Sequence, residues 1–294
     1  FRNAFVSSGV VAPMEELNAS NGGDFVVVPN WTANLSGEAE ILTDSSSLTP
    51  SNISADKQRA AILHRGKAWG ARDLARLAAG SYPLAAIGNK VAAFIARQQQ
   101  KDLLAALNGV FGAAFSSLAV PVADPYPTPA LVAAARSTMG EQGEKLSVMA
   151  IHSTAYYGLV QRQAIDYVRA SEIPSGTAAL GGSFQGAFGD VRVPTFMNMS
   201  VVVTDDIGVN DVFMFAGGSI ASGQQAGLNT ETDRDILAKA SYLSVDWHNV
   251  YHPIGSRYVG TTPNPDRTEL ATAANWELVF DLKNIGIVKG VLND

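Results

Sequence analysis

Two histidines in the C-terminal third of the chain have a spacing that some metal sites use. His248 and His252 stand four residues apart in the segment DWHNVYH, and on a helix this spacing places two imidazoles on one face, where they can bind zinc. The surrounding residues are typical of strands and turns, and the glutamate of a metalloprotease motif is missing. We therefore expect both histidines to be structural, and we predict no metal and no cofactor.

Two further pairs of residues suggest catalysis but are better explained by structure. Asp205 and Asp206 are adjacent carboxylates, but neighbours on a strand point to opposite faces, and VVVTDDIG is typical of a strand followed by a turn. His152 lies beside Ser153, yet the chain has no nucleophile elbow of the form G-x-S-x-G. We predict that Ser153 caps a helix, and that the protein is not an enzyme.

The chain has one local excess of positive charge, formed by Lys57, Arg59, Arg65, Lys67, Arg72 and Arg76. Trp69 is the only aromatic residue among them, and Asp56 and Asp73 dilute the charge. The whole chain carries a net charge of -6, whereas nucleic-acid-binding surfaces are normally basic. We expect these cations to form ion pairs with acidic neighbours.

The composition points to a protein that buries surface against partners. Of the 294 residues, 47% are hydrophobic and only 16% are charged, which is high for a soluble monomer. There is no run of eighteen apolar residues, so we expect no membrane span. The absence of cysteine excludes disulfides, cysteine-bound metals and thiol nucleophiles. The first residues lack the apolar core and cleavage site of a secretory signal.

The first eighty residues contain long polar and extended segments. Residues 1–23 are predicted to be an arm that lies on another surface. Residues 24–80 are predicted to be two extended segments joined at a tip, 36–54, that is rich in Ser, Thr, Asn and Pro. A disordered linker is the alternative for this region.

The middle of the chain predicts two helices. Apolar residues recur at three- and four-residue steps between Pro83 and Gly112, interrupted by the polar segment RQQQKD, as in a long helix that serves partly as a strut. Thr128 and Pro129 predict the start of a second helix that ends at Gly140. Strands and the helix after Ser153 follow, which makes an α+β order without regular βαβ alternation.

This order of elements resembles the major capsid protein of a tailed double-stranded DNA bacteriophage with the Hong Kong 97 fold. The resemblance rests on the segments 63–111, 149–168, 201–208 and 263–288, which follow the family's order over most of the chain. It implies an N-terminal arm, an extended β-hairpin loop, a peripheral domain with a long spine helix and an axial domain. The implied bounds are 1–23 for the arm, 24–80 for the loop, 81–145 and 245–280 for the peripheral domain (spine helix 83–112), 146–244 for the axial domain and 281–294 for a final strand.

The resemblance implies a structural function, with the chain assembling into hexamers and pentamers of an icosahedral head around double-stranded DNA. The expected partners are copies of itself, portal, scaffolding and decoration proteins, and DNA bound without sequence-specific contact. The protein would be part of the virion, assembled in the host cytoplasm, and without membrane contact. Two alternatives remain open at this point: an encapsulin-like shell protein of a bacterial compartment, and a secreted binding or hydrolytic protein.

The resemblance also predicts which residues contact neighbouring subunits. They are Phe25, Trp31, Ile41, Leu42, Ile53, Arg59, Arg65, Trp69, Trp276 and Phe280. Some members of the family form a covalent Lys-to-Asn bond between subunits, but the tip 36–54 contains no lysine. Lys57 and Lys67 lie on the returning limb. We therefore predict no such cross-link.

Overall fold

The computed structural model describes residues 4–18, 23–31, 39–41, 48, 55–73, 83–169 and 192–293. Its α-helices are α1 (Ala4–Ser7), α2 (Pro83–Gly112), α3 (Pro129–Thr138), α4 (Ser153–Gln161) and α5 (Arg267–Ala271). The strands are β1 (Val11–Pro13), β2 (Phe25–Trp31), β3 (Ala55–Ala61), β4 (Leu63–Arg72), β5 (Ala119–Val122), β6 (Leu146–Ile151), β7 (Asp166–Arg169), β8 (Arg192–Phe196), β9 (Met199–Val203), β10 (Asp211–Ala216), β11 (Ile220–Asp235), β12 (Ala240–Pro253), β13 (Ser256–Tyr258), β14 (Trp276–Leu278) and β15 (Ile287–Leu292).

A mixed seven-stranded sheet forms the larger layer, in the order β5-β15-β10-β6-β9-β8-β7. Alternate residues of β10, one of its inner strands, face opposite sides, as the period of a strand requires. Phe213 and Phe215 pack in the core cluster that includes the C-terminal half of α2. Val212 and Met214 pack on the other side with residues of α3 and α4. The sheet is therefore covered by helices on both faces.

A second sheet of four strands, in the order β1-β11-β12-β4, forms the other layer. Val245 and Trp247 of β12 are buried against Val91 and Ile95 in the N-terminal half of α2. A thirty-residue helix is about 45 Å long. The length of α2 allows it to pack on this sheet at one end and on the seven-stranded sheet at the other.

The N-terminal segment differs from the expectation of an arm that lies on another surface. Over residues 4–18 it packs on its own subunit: Phe5 and Leu17 are fully buried, Phe5 meets the ring of Phe215 edge-on at 5.7 Å, and β1 pairs parallel with β11. The apolar residues interspersed among Ser and Gly are the physical reason, because they reach pockets of the same subunit's core.

The region predicted as an extended loop begins as a β-hairpin. Strands β2 and β3 pair antiparallel from Phe25 opposite Ala61 to Trp31 opposite Ala55. The chain then continues as β4, which pairs antiparallel with β12. Most of the tip 36–54, together with Arg76, lies outside the described residues.

The helix predictions are confirmed, with one correction to a cap. The side chain of Thr128 accepts a hydrogen bond from the backbone N–H of Leu131, and Pro129 is the first residue of α3. Ser153 does not cap α4, contrary to prediction. His152 occupies the cap position and its Nδ1 accepts from the backbone N–H of Thr154 at 3.1 Å.

The predicted domain boundary at residues 244 and 245 falls inside a continuous strand, β12. Strands β11 and β12 pair with each other along most of their length, and neither joins the seven-stranded sheet. The turn at 217–219 separates the two sheets in this part of the chain, and the final strand β15 returns to the seven-stranded sheet.

Candidate interaction surfaces

Two of the predicted contact residues anchor the hairpin to the body of their own subunit. The guanidinium carbon of Arg59 lies 3.7 Å from the ring centroid of Phe25, and Arg59 Nη2 donates to the carbonyl oxygen of Gly260 at 2.7 Å. The ring of Phe25 stacks at 6.1 Å on Tyr258. These contacts fix the base of the hairpin on the body of its own subunit.

Arg65, a third predicted contact, takes part in a buried ionic junction. Asp102 of α2 is 2% exposed. Its Oδ1 accepts from Arg267 Nε at 2.7 Å, and its Oδ2 lies 3.6 Å from Arg65 Nε. Arg65 Nη2 also donates to the carbonyl oxygen of Pro265 at 2.6 Å. The junction joins β4, α2 and the start of α5, and it confirms that a cation of the basic group pairs with an acidic residue.

Three predicted aromatic contacts also pack within the subunit. Trp276 is 4% exposed, and its Nε1 donates to the carbonyl oxygen of Leu270 at 2.7 Å. Trp69 meets the ring of Phe94 edge-on at 5.2 Å, and Phe280 packs as a half-buried residue against the main core. We therefore remove Trp276 from the expected contacts between subunits, because burial leaves it almost no surface for a neighbour.

Ile41 has the surface that an inter-subunit contact needs, since it is 89% exposed. Leu48, in the same predicted tip, is 65% exposed. The side chains of Trp31, Leu42 and Ile53 lie outside the described part of the structure, and their role stays a prediction.

An exposed apolar turn joins β11 and β12, and the sequence reasoning missed it. Ile236 and Leu237 are 71% and 95% exposed, in the turn between β11 and β12. The signal in the sequence was two adjacent aliphatic residues within the otherwise polar segment DRDILAKA. Covering such side chains with a partner removes apolar surface from water and is therefore favourable.

A second missed surface is a tyrosine cluster at the β7 edge of the seven-stranded sheet. Tyr157 and Tyr167 are 63% and 51% exposed, and both contact Tyr156. The Tyr156 and Tyr157 rings meet edge-on at 5.4 Å. The hydroxyls of Tyr156 and Tyr167 are hydrogen-bonded at 3.1 Å, and this bond, together with burial, raises the pKa of Tyr156 to about 12.

The paired carboxylates and the histidine–serine pair do not form a catalytic group. Asp206 accepts from Gln100 Nε2 at 2.9 Å, whereas Asp205 lies 3.8 Å from His152 Nε2. Both aspartates belong to the predicted turn after β9. The other nitrogen of His152 caps α4, so its two nitrogens serve a helix terminus and a surface ion contact.

The structure separates His252 from His248 and gives the two residues different neighbours. His252 is 2% exposed, and its Nε2 is hydrogen-bonded to Gln58 Oε1 at 3.0 Å. Gln58 Oε1 also accepts from the backbone N–H of Gly255 at 3.3 Å. Burial lowers the pKa of His252 to about 4. His252 is therefore a neutral core residue at the base of the hairpin, in keeping with the structural role expected of it.

Replacing His252 by glutamine is expected to reduce the loss of stability at acidic pH. Because the folded-state pKa of about 4 is below the unfolded value near 6.5, protons bind the unfolded chain first. The contribution of neutral His252 to the free energy of unfolding is fully present above pH 6.5. It falls as the pH drops toward 4, and about 2 kcal/mol of it is lost at pH 5. Thermal unfolding at pH 7 and pH 5 should show a smaller drop for His252→Gln, whose amide keeps a donor for Gln58.

His64→Gln is the matched control for losing one imidazole, because the side chain of His64 is 51% exposed. All samples are measured with a chelator, so that no metal is bound. The contrast between the two variants isolates the effect of burial. If His252→Gln loses as much stability between pH 7 and pH 5 as the unsubstituted protein, His252 is not the group that titrates on unfolding.

His248 lies next to His64 instead. The two residues face each other in the register of β4 and β12, and their rings stack with centroids 3.8 Å apart. The sequence reasoning missed His64, since no local pattern shows which residues meet across strands.

Among the described helices, none is long and apolar enough to cross a membrane. No protein-family model matches the chain.

The chain is similar to phage proteins in sequence and in structure. It is 32% identical over 310 residues to the major capsid protein of Bacillus phage SPP1, an alignment that covers 98% of this chain and 90% of that protein. A capsid structure of the cyanophage P-SCSP1u matches with a TM-score of 0.60 and 11% identity, covering 100% of this chain and 90% of that one. A chain of Mycobacterium phage Bobi matches with a TM-score of 0.61 and 8% identity, covering 100% and 91%.

Proposed function

This chain belongs to the family of phage major capsid proteins and has their Hong Kong 97-like fold, and we propose that it assembles into the hexamers and pentamers of an icosahedral head around double-stranded DNA. The observation that carries the proposal is the 32% identity to a major capsid protein along nearly the whole chain. An encapsulin-like compartment shell is not favoured, because that relative is a phage protein.

The exposed apolar residues support assembly with copies of the same chain. Ile41 and Leu48 lie in the predicted tip of the extended loop, and Ile236 and Leu237 lie at the turn of the β11–β12 hairpin. An isolated subunit would leave these side chains in water, whereas obligate interfaces between subunits are large and hydrophobic. We add Leu48, Ile236 and Leu237 to the predicted contacts.

The two sheets suggest revised bounds for the domains of the capsid fold. We assign the seven-stranded sheet with α3 and α4 to the axial domain, which in this family lines the centre of each capsomer. We assign the four-stranded sheet with the N-terminal half of α2 to the peripheral domain. The boundary then lies near residues 217–219 instead of 244, and β15 remains the strand that returns to the axial domain.

Further partners and the site of assembly follow from the same proposal. Portal, scaffolding and decoration proteins are the expected partners besides the chain itself, and DNA is expected to be held without sequence-specific contact, in keeping with a net charge of -6. Assembly takes place in the host cytoplasm. The chain has no enzymatic activity of its own. Lys57 and Lys67 form no covalent cross-link between subunits.

Shortening the extended loop is expected to abolish closed shells while leaving the subunit folded. Trp31 and Ala55 are paired across β2 and β3, so an Asn-Gly turn in place of residues 32–54 closes the hairpin with a favoured two-residue connection. The shortened subunit keeps the contacts of Phe25 and Arg59 but loses the tip that we expect to lie over a neighbour. Particle mass by light scattering and circular dichroism of the same sample measure the two effects.

A matched control keeps the loop length and changes only sequence, with residues 43–47 replaced by glycine and serine. This variant should still form shells, because it retains Ile41 and Leu48. Shells of normal size from the shortened variant would contradict the proposed role of the loop.

A further inference from the structure

Two histidines and one aspartate meet on one face of the four-stranded sheet. His64 of β4 lies directly opposite His248 of β12 in the antiparallel register, and Asp246 lies opposite Gly66. Because side chains two residues apart on a strand share a face, all three side chains project to the same side. The opposite face carries Val245 and Trp247, which are buried against α2.

The distances suit a single metal ion. One ligand atom from each of His64, Asp246 and His248 lies within 4.8 Å of the other two, and His64 Nε2 is 3.9 Å from Asp246 Oδ2. Ligands in a tetrahedral zinc site with bonds of about 2.0–2.2 Å are roughly 3.4 Å apart. The two imidazoles are stacked with centroids 3.8 Å apart, so the rings must turn about their side-chain bonds for one nitrogen of each to face the same ion.

The surroundings orient the carboxylate and leave room for an ion. Asn229 Nδ2 donates to Asp246 Oδ1 at 3.2 Å, which leaves Oδ2 directed toward His64. Gly66 lies opposite Asp246 and has no side chain beside the carboxylate; a Cβ atom there would be in van der Waals contact with the Asp246 Cβ at 3.4 Å. The side chains of His64 and Asp246 are 51% and 33% exposed, and an ion can therefore enter from solvent.

We propose that His64, His248 and Asp246 bind one divalent transition-metal ion of the zinc class. Two imidazoles and one carboxylate are ligands that zinc accepts, with water in the remaining position. The hydrogen bond from Asn229 to the far oxygen of Asp246 is the kind of outer contact that holds a ligating carboxylate in place. The expectation of no metal had weighed only His248 with His252, and it did not include His64.

The ion would join β4, on the returning limb of the extended loop, to β12, an inner strand of the sheet. His64 belongs to β4, and His248 and Asp246 belong to β12. The two strands are already joined by backbone hydrogen bonds, and a bound ion would join them through side chains as well. A ligand that binds only the folded chain raises its stability in proportion to the logarithm of its concentration above Kd. Metal binding should therefore raise the unfolding temperature.

The test is calorimetric titration of the untagged full chain with zinc chloride, followed by thermal unfolding with and without zinc. We expect one ion per chain and a rise in the unfolding temperature. His64→Ala and His248→Ala should each weaken binding at least about 100-fold, and Asp246→Asn at least about tenfold, since even outer contacts of metal sites contribute factors of 10–100. Circular dichroism confirms that each variant is folded.

His152→Asn is the matched control, because it removes a histidine outside the cluster and asparagine retains a capping oxygen for α4. This variant should bind zinc as the unsubstituted chain does. Absence of saturable zinc binding, or binding that is unchanged in both His64→Ala and His248→Ala, would overturn the proposal.

Discussion

Replacing Asp102 by alanine is expected to lower the free energy of unfolding by about 3–5 kcal/mol, because removing one partner of a buried ion pair leaves the other charge uncompensated. Asp102 is 2% exposed and serves two cations, Arg267 at 2.7 Å and Arg65 at 3.6 Å. Both guanidinium groups would lose their carboxylate. The junction between β4, α2 and α5 would be weakened at one point.

The measurement is the unfolding temperature of Asp102→Ala, which should fall by roughly 5–8 °C for a chain of this size. Asp73→Ala is the control of the same chemistry: Asp73 pairs with Arg234 at 2.8 Å, but their side chains are 44% and 53% exposed, and exposed pairs contribute at most about 1 kcal/mol. If both variants lose equally little stability, the buried junction does not hold the subunit together.

Replacing Gly109 by alanine is expected to destabilise the subunit by about 3 kcal/mol, the upper end of the usual cost of overpacking, although alanine normally favours a helix. A Cβ atom at Gly109 would collide with the carbonyl oxygen of Leu270 and would lie 2.8 Å from Trp276 Cδ1. That carbonyl accepts the hydrogen bond of Trp276, so relief of the collision requires the shift of a backbone segment and a buried indole. Overpacked sites of this kind lose stability.

Gly88→Ala provides a control in the same helix, since a Cβ atom there meets no atom within 4 Å. This variant should gain up to about 1 kcal/mol through helix propensity. Unfolding temperatures of the two variants should therefore move in opposite directions. A Gly109→Ala protein as stable as the Gly88→Ala protein would contradict the close packing of α2 against α5 and β14.

Local patterns predicted the helices well. Apolar steps of three and four residues between Pro83 and Gly112 and the cap formed by Thr128 depend on neighbours in sequence, and the structure confirms both. His152 replaced Ser153 as a cap because an imidazole nitrogen can accept the same hydrogen bond. Sequence propensities favour serine at this position, and they do not show the ring's orientation.

Contacts between distant residues were not predictable in the same way. Asp102 belongs to the polar segment RQQQKD, which suggested a solvated strut, yet its partner Arg267 lies 165 residues away. A buried carboxylate such as Asp102 needs a cationic partner, and local sequence does not show a partner that is so far away in the chain. The predicted domain boundary at 244 falls inside β12 for a similar reason. The sequence does not show that this strand runs through residue 244 and pairs with both β11 and β4.

The predicted contacts between subunits show the same difference between local patterns and contacts of distant residues. Phe25, Arg59, Arg65 and Trp69 are aromatic or cationic residues that the family resemblance placed at interfaces, and the structure gives each of them contacts within its own subunit. Ile236 and Leu237 are exposed because they sit at a hairpin turn, a position that is visible only once β11 and β12 are known to pair.

The most direct test of capsid assembly is the particle mass and negative-stain image of the purified full chain in moderate salt. A phage major capsid protein should give closed shells, or rings of five and six subunits, with masses that are multiples of the 30.9 kDa chain. A folded protein that stays monomeric at high concentration would contradict assembly.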